Sequence, residues 1–147
     1  MLDIKPRWPA GADIADTLFG PHDAALRKAA ETPLQLHGTL NLLTETGQVI
    51  FRYAKATARD YLSAWLAHLV YCEAQPNGPR RTVWHGSGES FELTPVAAPL
   101  DELAPLAALF RAGRRLPLRF FPKSAWVKIS ESDSAAQGVW INDRVRG

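Results

Sequence analysis

Leu34-Gln35-Leu36-His37-Gly38-Thr39-Leu40-Asn41-Leu42-Leu43 runs into Thr44-Glu45-Thr46-Gly47 and then Gln48-Val49-Ile50-Phe51-Arg52-Tyr53. Leu34, Leu36, Leu40 and Leu42 recur with period two, interrupted at Gly38. That pattern predicts a half-buried strand with a bend or bulge at the glycine. The second run is β-branched and aromatic, as strands prefer. With a turn at 44–47 between them, the two runs predict a β-hairpin.

Downstream, residues 57–74 predict the clearest helix of the chain. Leu62, Trp65, Leu66, Leu69 and Val70 recur at steps of three and four and define an apolar face. Trp65 and Leu69 are the expected core residues on it. Thr57 with Asp60 three residues later resembles a capping box, with Asp in the usual Glu/Gln place. Gln75-Pro76-Asn77-Gly78-Pro79 ends the helix. Strands are expected at about 81–85 and 90–95, with Gly86-Ser87-Gly88 as the turn between them. A second amphipathic helix runs to Arg111 with Leu103, Leu106, Ala107 and Phe110 inward and Gly113 at C′. Pro105 suits it only near its first turns. Leu116 to Ile129 reads as extended and aromatic, and a short helix is expected near Trp140.

Upstream, Pro21 and the alanines at 24, 25, 29 and 30 predict a short helix at about 21–31. Residues 1–20 read as an irregular lead-in. The element order is then α-β-β-(β)-α-β-β-α, an α/β class with a mixed sheet flanked by helices.

The whole chain of 147 residues suits one domain with a core of its own. Its apolar fraction of 46% and charged fraction of 22% exclude a disordered composition. No apolar run approaches the roughly 20 residues of a membrane span, and the first residues lack a secretory h-region. Cys72 is the single cysteine, which rules out an internal disulfide and any zinc site with two Cys ligands. A reducing, cytoplasmic setting is expected. Net charge is +2, too small to make the whole chain a polyanion binder. Its distribution is uneven: residues 111–130 hold Arg111, Arg114, Arg115, Arg119, Lys123 and Lys128 and no acid.

Common catalytic signatures are missing. The four histidines, His22, His37, His68 and His85, show no tight ligand spacing. None is expected to pair with Cys72 or a carboxylate at i+4. His68 is expected as a partly buried, hydrogen-bonded histidine beside the apolar face of its helix, and Cys72 as a buried, inert thiol. Gly86-Ser87-Gly88 is followed by Glu89 and not by a Lys and a helix, so it is no phosphate loop. Asp101-Glu102 falls at a helix start, where the macrodipole favours acids.

The hairpin says more. In many metal-dependent DNA nucleases an acid lies on one strand and an acid-x-Lys on the next. The acids hold a divalent cation and the lysine stabilises charge on the attacked phosphate. Gly38-Thr39-Leu40-Asn41 resembles the first element, with Asn41 in place of the acid. Phe51-Arg52-Tyr53-Ala54 resembles the second, with Arg52 where the metal-binding acid belongs and Ala54 where the lysine belongs. A cation at the metal position repels a divalent ion. Lys55 is one residue out of register. The expected catalytic set is therefore empty, with Asn41, Arg52 and Ala54 as degenerate positions and no metal site.

Leu40-x-x-Leu43…Gly47, then Arg52…Lys55…Arg59-Asp60-x-Leu62-x-x-Trp65-Leu66-x-His68-Leu69, resembles the C-terminal region of RecC. RecC is the gamma subunit of exodeoxyribonuclease V, the RecBCD helicase–nuclease. The more specific match is Leu106-x-x-Leu109-Phe110-x-x-Gly113 followed by Leu116-Pro117-Leu118-Arg119-Phe120-Phe121-Pro122-Lys123-Ser124-Ala125-Trp126. The resemblance covers about 34–147 and implies a single domain, 1–147, cut from a larger subunit and truncated in 130–147. It implies a PD-(D/E)xK, lambda-exonuclease-like nuclease fold with a degenerate active site. It also implies a role without catalysis. RecC splits the duplex, scans single-stranded DNA for Chi and holds RecB-like and RecD-like subunits together, while ATP and magnesium serve those partners. Homologous recombination, double-strand break repair and DNA contact through the complex follow from the same resemblance. The expected contact residues are Arg114, Arg115, Arg119, Phe120, Phe121, Lys123 and Trp126. Aromatics with Arg serve as interface anchors and as single-strand DNA grooves. Two alternatives stay open: an active divalent-metal nuclease using Asp60, Glu73 or Glu45, and a small stand-alone DNA-binding domain.

Overall fold

Gln48, Val49, Ile50 and Phe51 carry the β-propensity of the chain's centre, and around them the sheet is built. The structure, a computed structural model, describes residues 1–8, 28–115, 117 and 122–131. Strand β1 (Leu2–Ile4) pairs antiparallel with β2 (Leu34–Leu36). Strands β3 (Leu43–Thr44) and β4 (Gly47–Phe51) form the hairpin at the expected turn. Thr44 stabilises that turn: its hydroxyl donates to the Gly47 carbonyl at 2.8 Å. Helix α1 (Ala58–Ala74) then crosses over to β5 (Thr82–His85), which lies parallel to β4, and β6 (Ser90–Leu93) returns antiparallel. The sheet order is β3-β4-β5-β6, four strands of mixed direction. Helix α2 (Pro99–Gly113) packs on α1, and α3 (Pro122–Ser130) docks against α1 as well.

Glycines mark two close approaches. Gly47 has φ +136°, and a Cβ there would lie 2.2 Å from the Arg81 carbonyl oxygen. Gly86 lies beneath the Trp84 ring, where a Cβ would come within 2.3 Å of it and within 2.5 Å of the Ala54 carbonyl oxygen.

Helix α1 begins as expected. The Thr57 backbone N–H and hydroxyl both donate to the Asp60 carboxylate, at 2.8 and 2.6 Å. Its buried face differs from the expected one. Ala64, His68, Leu69, Tyr71 and Cys72 are buried, while Leu66 is exposed and Trp65 and Val70 are half-buried. The helix is covered on two sides, so its buried arc is wider than a single apolar stripe. Ala64, His68 and Cys72 form one i, i+4 row, and His68 meets β5 through Thr82. Leu69 joins Ile4, Leu103 and Ala107 in the cluster shared with β1 and α2.

Other expectations are corrected. The lead-in is not wholly irregular: Ile4 is a core residue on β1, held by the pairs Leu2↔Leu36, Asp3↔Gln35 and Ile4↔Leu34. A three-residue strand is too short to show periodicity. The leucine run 34–43 is not one bent strand. Its ends belong to different sheets, residues 37–42 are not strand, Leu42 adopts φ 58°, and Leu36, Leu42 and Leu43 are exposed. Residues 28–30 are helical; the rest of the helix expected at 21–31 lies outside the described residues. In α2, Phe110 is 62% exposed and not inward. The inward row is Leu103, Ala104, Ala107, Ala108 and Ala112; Ala108 and Ala112 meet Trp8 and Ala30, and Leu103 and Ala107 meet Ile4 and Leu69. Pro99 occupies the first turn, Pro105 sits inside the helix, and Gly113 is its last residue with Arg114 as C-cap. Residues 122–130 are helical and not extended, because Pro122 fits a helix start, where its missing N–H costs nothing. Residues near Trp140 lie outside the described residues.

Candidate functional site

The carboxyl ends of β4 and β5 lie side by side, since the two strands are parallel with Phe51 opposite His85. The chain leaves β4 at Arg52, whose N–H continues the ladder to the His85 carbonyl at 2.9 Å. A tight turn follows: the Ala54 N–H donates to the Arg52 carbonyl at 2.8 Å, and the Ser87 N–H donates to the Ala54 carbonyl at 2.9 Å. The Ala56 N–H donates to the Glu89 carboxylate. This loop is thereby tied to the β5–β6 turn.

Arg52 and Ala54 thus sit just past the end of β4. Asn41 is exposed and outside any strand, so the acid-like position of the first run is not on a strand as expected. The Arg52 guanidinium forms an ion pair with Asp60. The hydroxyl of Thr57 together with that guanidinium pulls the Asp60 carboxyl down to about 2. Among the expected nuclease alternatives, Asp60 is therefore committed to capping α1 and pairing Arg52. Glu45 is exposed in the hairpin turn, and Glu73 lines an apolar groove with Val70 and Leu40. The three carboxylates do not converge: among the described residues no group of three His, Cys, Asp or Glu is placed to hold a metal ion.

The basic stripe divides into parts. Arg111, Arg114 and Arg115 line one wall of an open groove of about 840 Å³, with Phe110 beside them and residues 33–37 on the other wall. The Arg111 guanidinium reaches across and donates to the Pro33 carbonyl at 2.7 Å. Among the described residues no acid lines this groove. Trp126 is elsewhere, on α3, where it stacks on Tyr61 of α1. Lys123 is exposed on the same helix. Arg119, Phe120 and Phe121 lie outside the described residues. The single contact segment expected over 114–126 is thus resolved into a groove at the end of α2 and a ring stack under α3.

A buried polar network, missed by sequence reading as a pairing, joins α1 to the sheet. His68 is fully buried; its Nε2 donates to the Thr94 carbonyl at 2.7 Å and its Nδ1 lies 2.8 Å from the Thr82 hydroxyl. Thr82 in turn lies 3.2 Å from the Gln48 amide. Burial lowers the His68 pKa, opposed by the Thr94 carbonyl. The neutral ring carries its proton on Nε2, facing the Thr94 carbonyl, and the Thr82 hydroxyl bridges Nδ1 and the Gln48 amide. Cys72 Sγ lies 3.5 Å from His68 Nε2. His68 and Cys72 are one helical turn apart, so the expectation that no histidine pairs with Cys72 is corrected; the i, i+4 spacing was the available signal. The expected hydrogen bonding of His68 and burial of the Cys72 thiol agree with the structure, but His68 is fully and not partly buried.

No solved structure matches the chain. The model of the RecC C-terminal domain family matches residues 10–133. A curated relative, the RecBCD enzyme subunit RecC of Escherichia coli (strain K12), is 32% identical over 99 residues. That alignment covers 65% of this chain and 9% of the relative, so the chain spans a small part of that protein's length. The match takes in the α1 capping box, the crossover to β5 and the basic end of α2, and with them the chain belongs to the RecC C-terminal domain family.

Proposed function

We propose that the chain is a nuclease-like domain without catalysis of its own, serving a RecC-type subunit of a RecBCD-type helicase–nuclease. Its work is subunit assembly and DNA guidance in double-strand break repair by homologous recombination, in the cytoplasm. RecB-like and RecD-like subunits are its partners. It needs no cofactor itself; ATP and magnesium belong to those partners.

The observation that carries this reading is Arg52 at the end of β4. Where a nuclease of this kind needs an acid, the chain has a cation, and the nearest carboxylate, Asp60, neutralises it. A divalent ion brought there meets a matched ion pair and not an open pair of acids. The hairpin leading into a long helix supports the nuclease-like fold, and the groove of Arg111, Arg114 and Arg115, free of acids among the described residues, supports contact with a polyanion or an acidic partner surface.

The test is the simultaneous change of Arg114, Arg115 and Arg119 to Glu in the full-length subunit. Weakened assembly with the other subunits, or weakened DNA affinity at low salt, is expected. A steep salt dependence assigns the loss to phosphate contacts and a shallow one to subunit packing. Unchanged assembly and unchanged DNA affinity overturn the contact role. Magnesium-dependent cleavage of linear DNA by the pure chain overturns the non-catalytic role.

A further inference from the structure

The groove between β2 and the end of α2 has one wall of backbone and one of cations. Strand β2 pairs with β1 along one edge, and among the described residues nothing pairs with its other edge. A free strand edge offers N–H and C=O groups to an extended chain laid against it. Pro33, directly before β2, already uses its carbonyl in this way: it accepts a hydrogen bond from the Arg111 guanidinium across the groove. On the facing wall Arg114 and Arg115 are exposed, and neither meets a carboxylate among the described residues. Buried partners therefore do not consume their charge, and an incoming anion meets both.

Apolar surface completes the groove. Phe110 is 62% exposed and Leu36 is 37% exposed, and both line it. Leu36 and His37 also line a second groove, with Leu40, Leu43 and Val70, so a chain that follows β2 past His37 leaves the cations for apolar side chains. A nucleic-acid strand asks for something else: charges that track its backbone and rings for successive bases. Here the arginines fall within one helix end, spanning about 6 Å of axis. Phe110 is the only Phe, Tyr or Trp among the described lining residues.

We infer that this groove receives an acidic, extended segment of a partner subunit, which adds to the free edge of β2 with carboxylates on Arg114 and Arg115 and an apolar side chain against Phe110 and Leu36. Backbone hydrogen bonds then supply affinity, and alternate side chains supply selectivity. The inference rests on the assembly role proposed above and specifies the chemistry of the segment that meets this domain.

The probe is a fluorescein-labelled peptide of about eight alternating valines and glutamates, titrated onto the 147-residue chain and read by anisotropy. Binding is expected at low salt. A valine–lysine peptide is expected to bind at least about tenfold more weakly, as is the valine–glutamate peptide to the chain carrying Arg114→Glu and Arg115→Glu, because like charges then face each other. Successive amides of a strand point to opposite edges, so N-methylation of the valines and of the glutamates is expected to act unequally. One of the two methylated peptides should lose about tenfold relative to the other. Absence of binding, equal affinity of the glutamate and lysine peptides, or equal effects of the two methylations overturns the inference. Displacement of the peptide by oligothymidylate at lower concentration than by unlabelled peptide assigns the groove to nucleic acid and overturns it too. In the full-length subunit assembled with its partners, p-benzoylphenylalanine in place of Phe110 is expected to cross-link to a segment of a partner subunit rich in Asp and Glu. A cross-link to DNA or to a segment without acids, or none, counts against it. If the peptide fails to bind while the change of Arg114, Arg115 and Arg119 to Glu still disrupts assembly, the proposed function stands and the strand addition alone falls. If the peptide binds while assembly and DNA affinity of that variant are unchanged, the contact role falls and the partner-subunit origin of the segment with it.

Discussion

The indole of Trp126 lies on the ring of Tyr61, centroids 4.5 Å apart and planes within 13° of parallel. Tyr61 stacks in turn on Phe91, and Phe91 on Trp84. Four rings thus connect α3, α1, β6 and β5 in one column that runs from the surface to the fully buried Trp84. Trp126, singled out by the sequence as a contact residue, spends one face on its own domain and keeps 43% of its surface exposed.

Trp126→Ala is accordingly expected to destabilise the chain by about 1–2 kcal/mol, less than the roughly 3–5 of a fully buried tryptophan. Trp126→Phe should retain most of the stacking. Equilibrium urea unfolding measures both, and an unchanged midpoint for the alanine variant would mean that α3 does not dock on α1.

Gly86→Ala is expected to cost about 1–3 kcal/mol by overpacking, because the new methyl meets the Trp84 ring and a backbone carbonyl that cannot rotate away. Gly88→Ala, at φ +79° in open space, meets only backbone strain. Near-ultraviolet circular dichroism should report a displaced Trp84 in the first variant and not in the second.

His68 sets a pH dependence. Its folded pKa lies below the usual 6.5, so the unfolded chain takes up a proton that the folded chain refuses. Stability from this group is complete above about 6.5 and declines as pH falls below it, by at most about 1.4 kcal/mol per pH unit. Denaturation midpoints at pH 7.5 and pH 5.5 are expected to differ in the parent. In His68→Gln the difference should shrink, and a parent profile that is flat between these values would show His68 protonated in the fold.

Asp60 acts in a lower window. Its carboxyl is held at about 2 against an ordinary 3.8, so its contribution is present above the ordinary value and is lost as pH falls through the folded one. Asp60→Asn is expected to cost about 1 kcal/mol at neutral pH through the weakened cap. The same variant should flatten the acid limb between pH 4 and pH 2. Retention of the full acid slope would assign that limb to other carboxylates.

Local chemistry determined a good part of this protein in the sequence itself. The turn at 44–47, the start of α1 at Thr57 and Asp60, the β5–β6 turn at Gly86 and the end of α1 before Pro76 all depend on residues within a few positions of each other. The family motif around Pro117–Trp126 is local in the same sense, as are Arg52 and Ala54 in the place of an acid and a lysine. What tertiary contact alone decided is of another kind. Ile4 becomes core only because β2 arrives from thirty residues away, and the leucines of 34–43 are shared between two sheets that no periodicity separates. The buried face of α1 turns towards Ala64, His68 and Cys72 because the sheet covers one side and α2 the other, so a polar residue is inside and Leu66 outside. Tyr53 reads as an ordinary strand aromatic; its full exposure comes from a turn fixed by bonds to β5 and the β5–β6 turn. Short-range signals are set by backbone propensity and capping, which act within one turn. Which face is wet depends on what the rest of the chain lays against it, and that information is spread over the whole length.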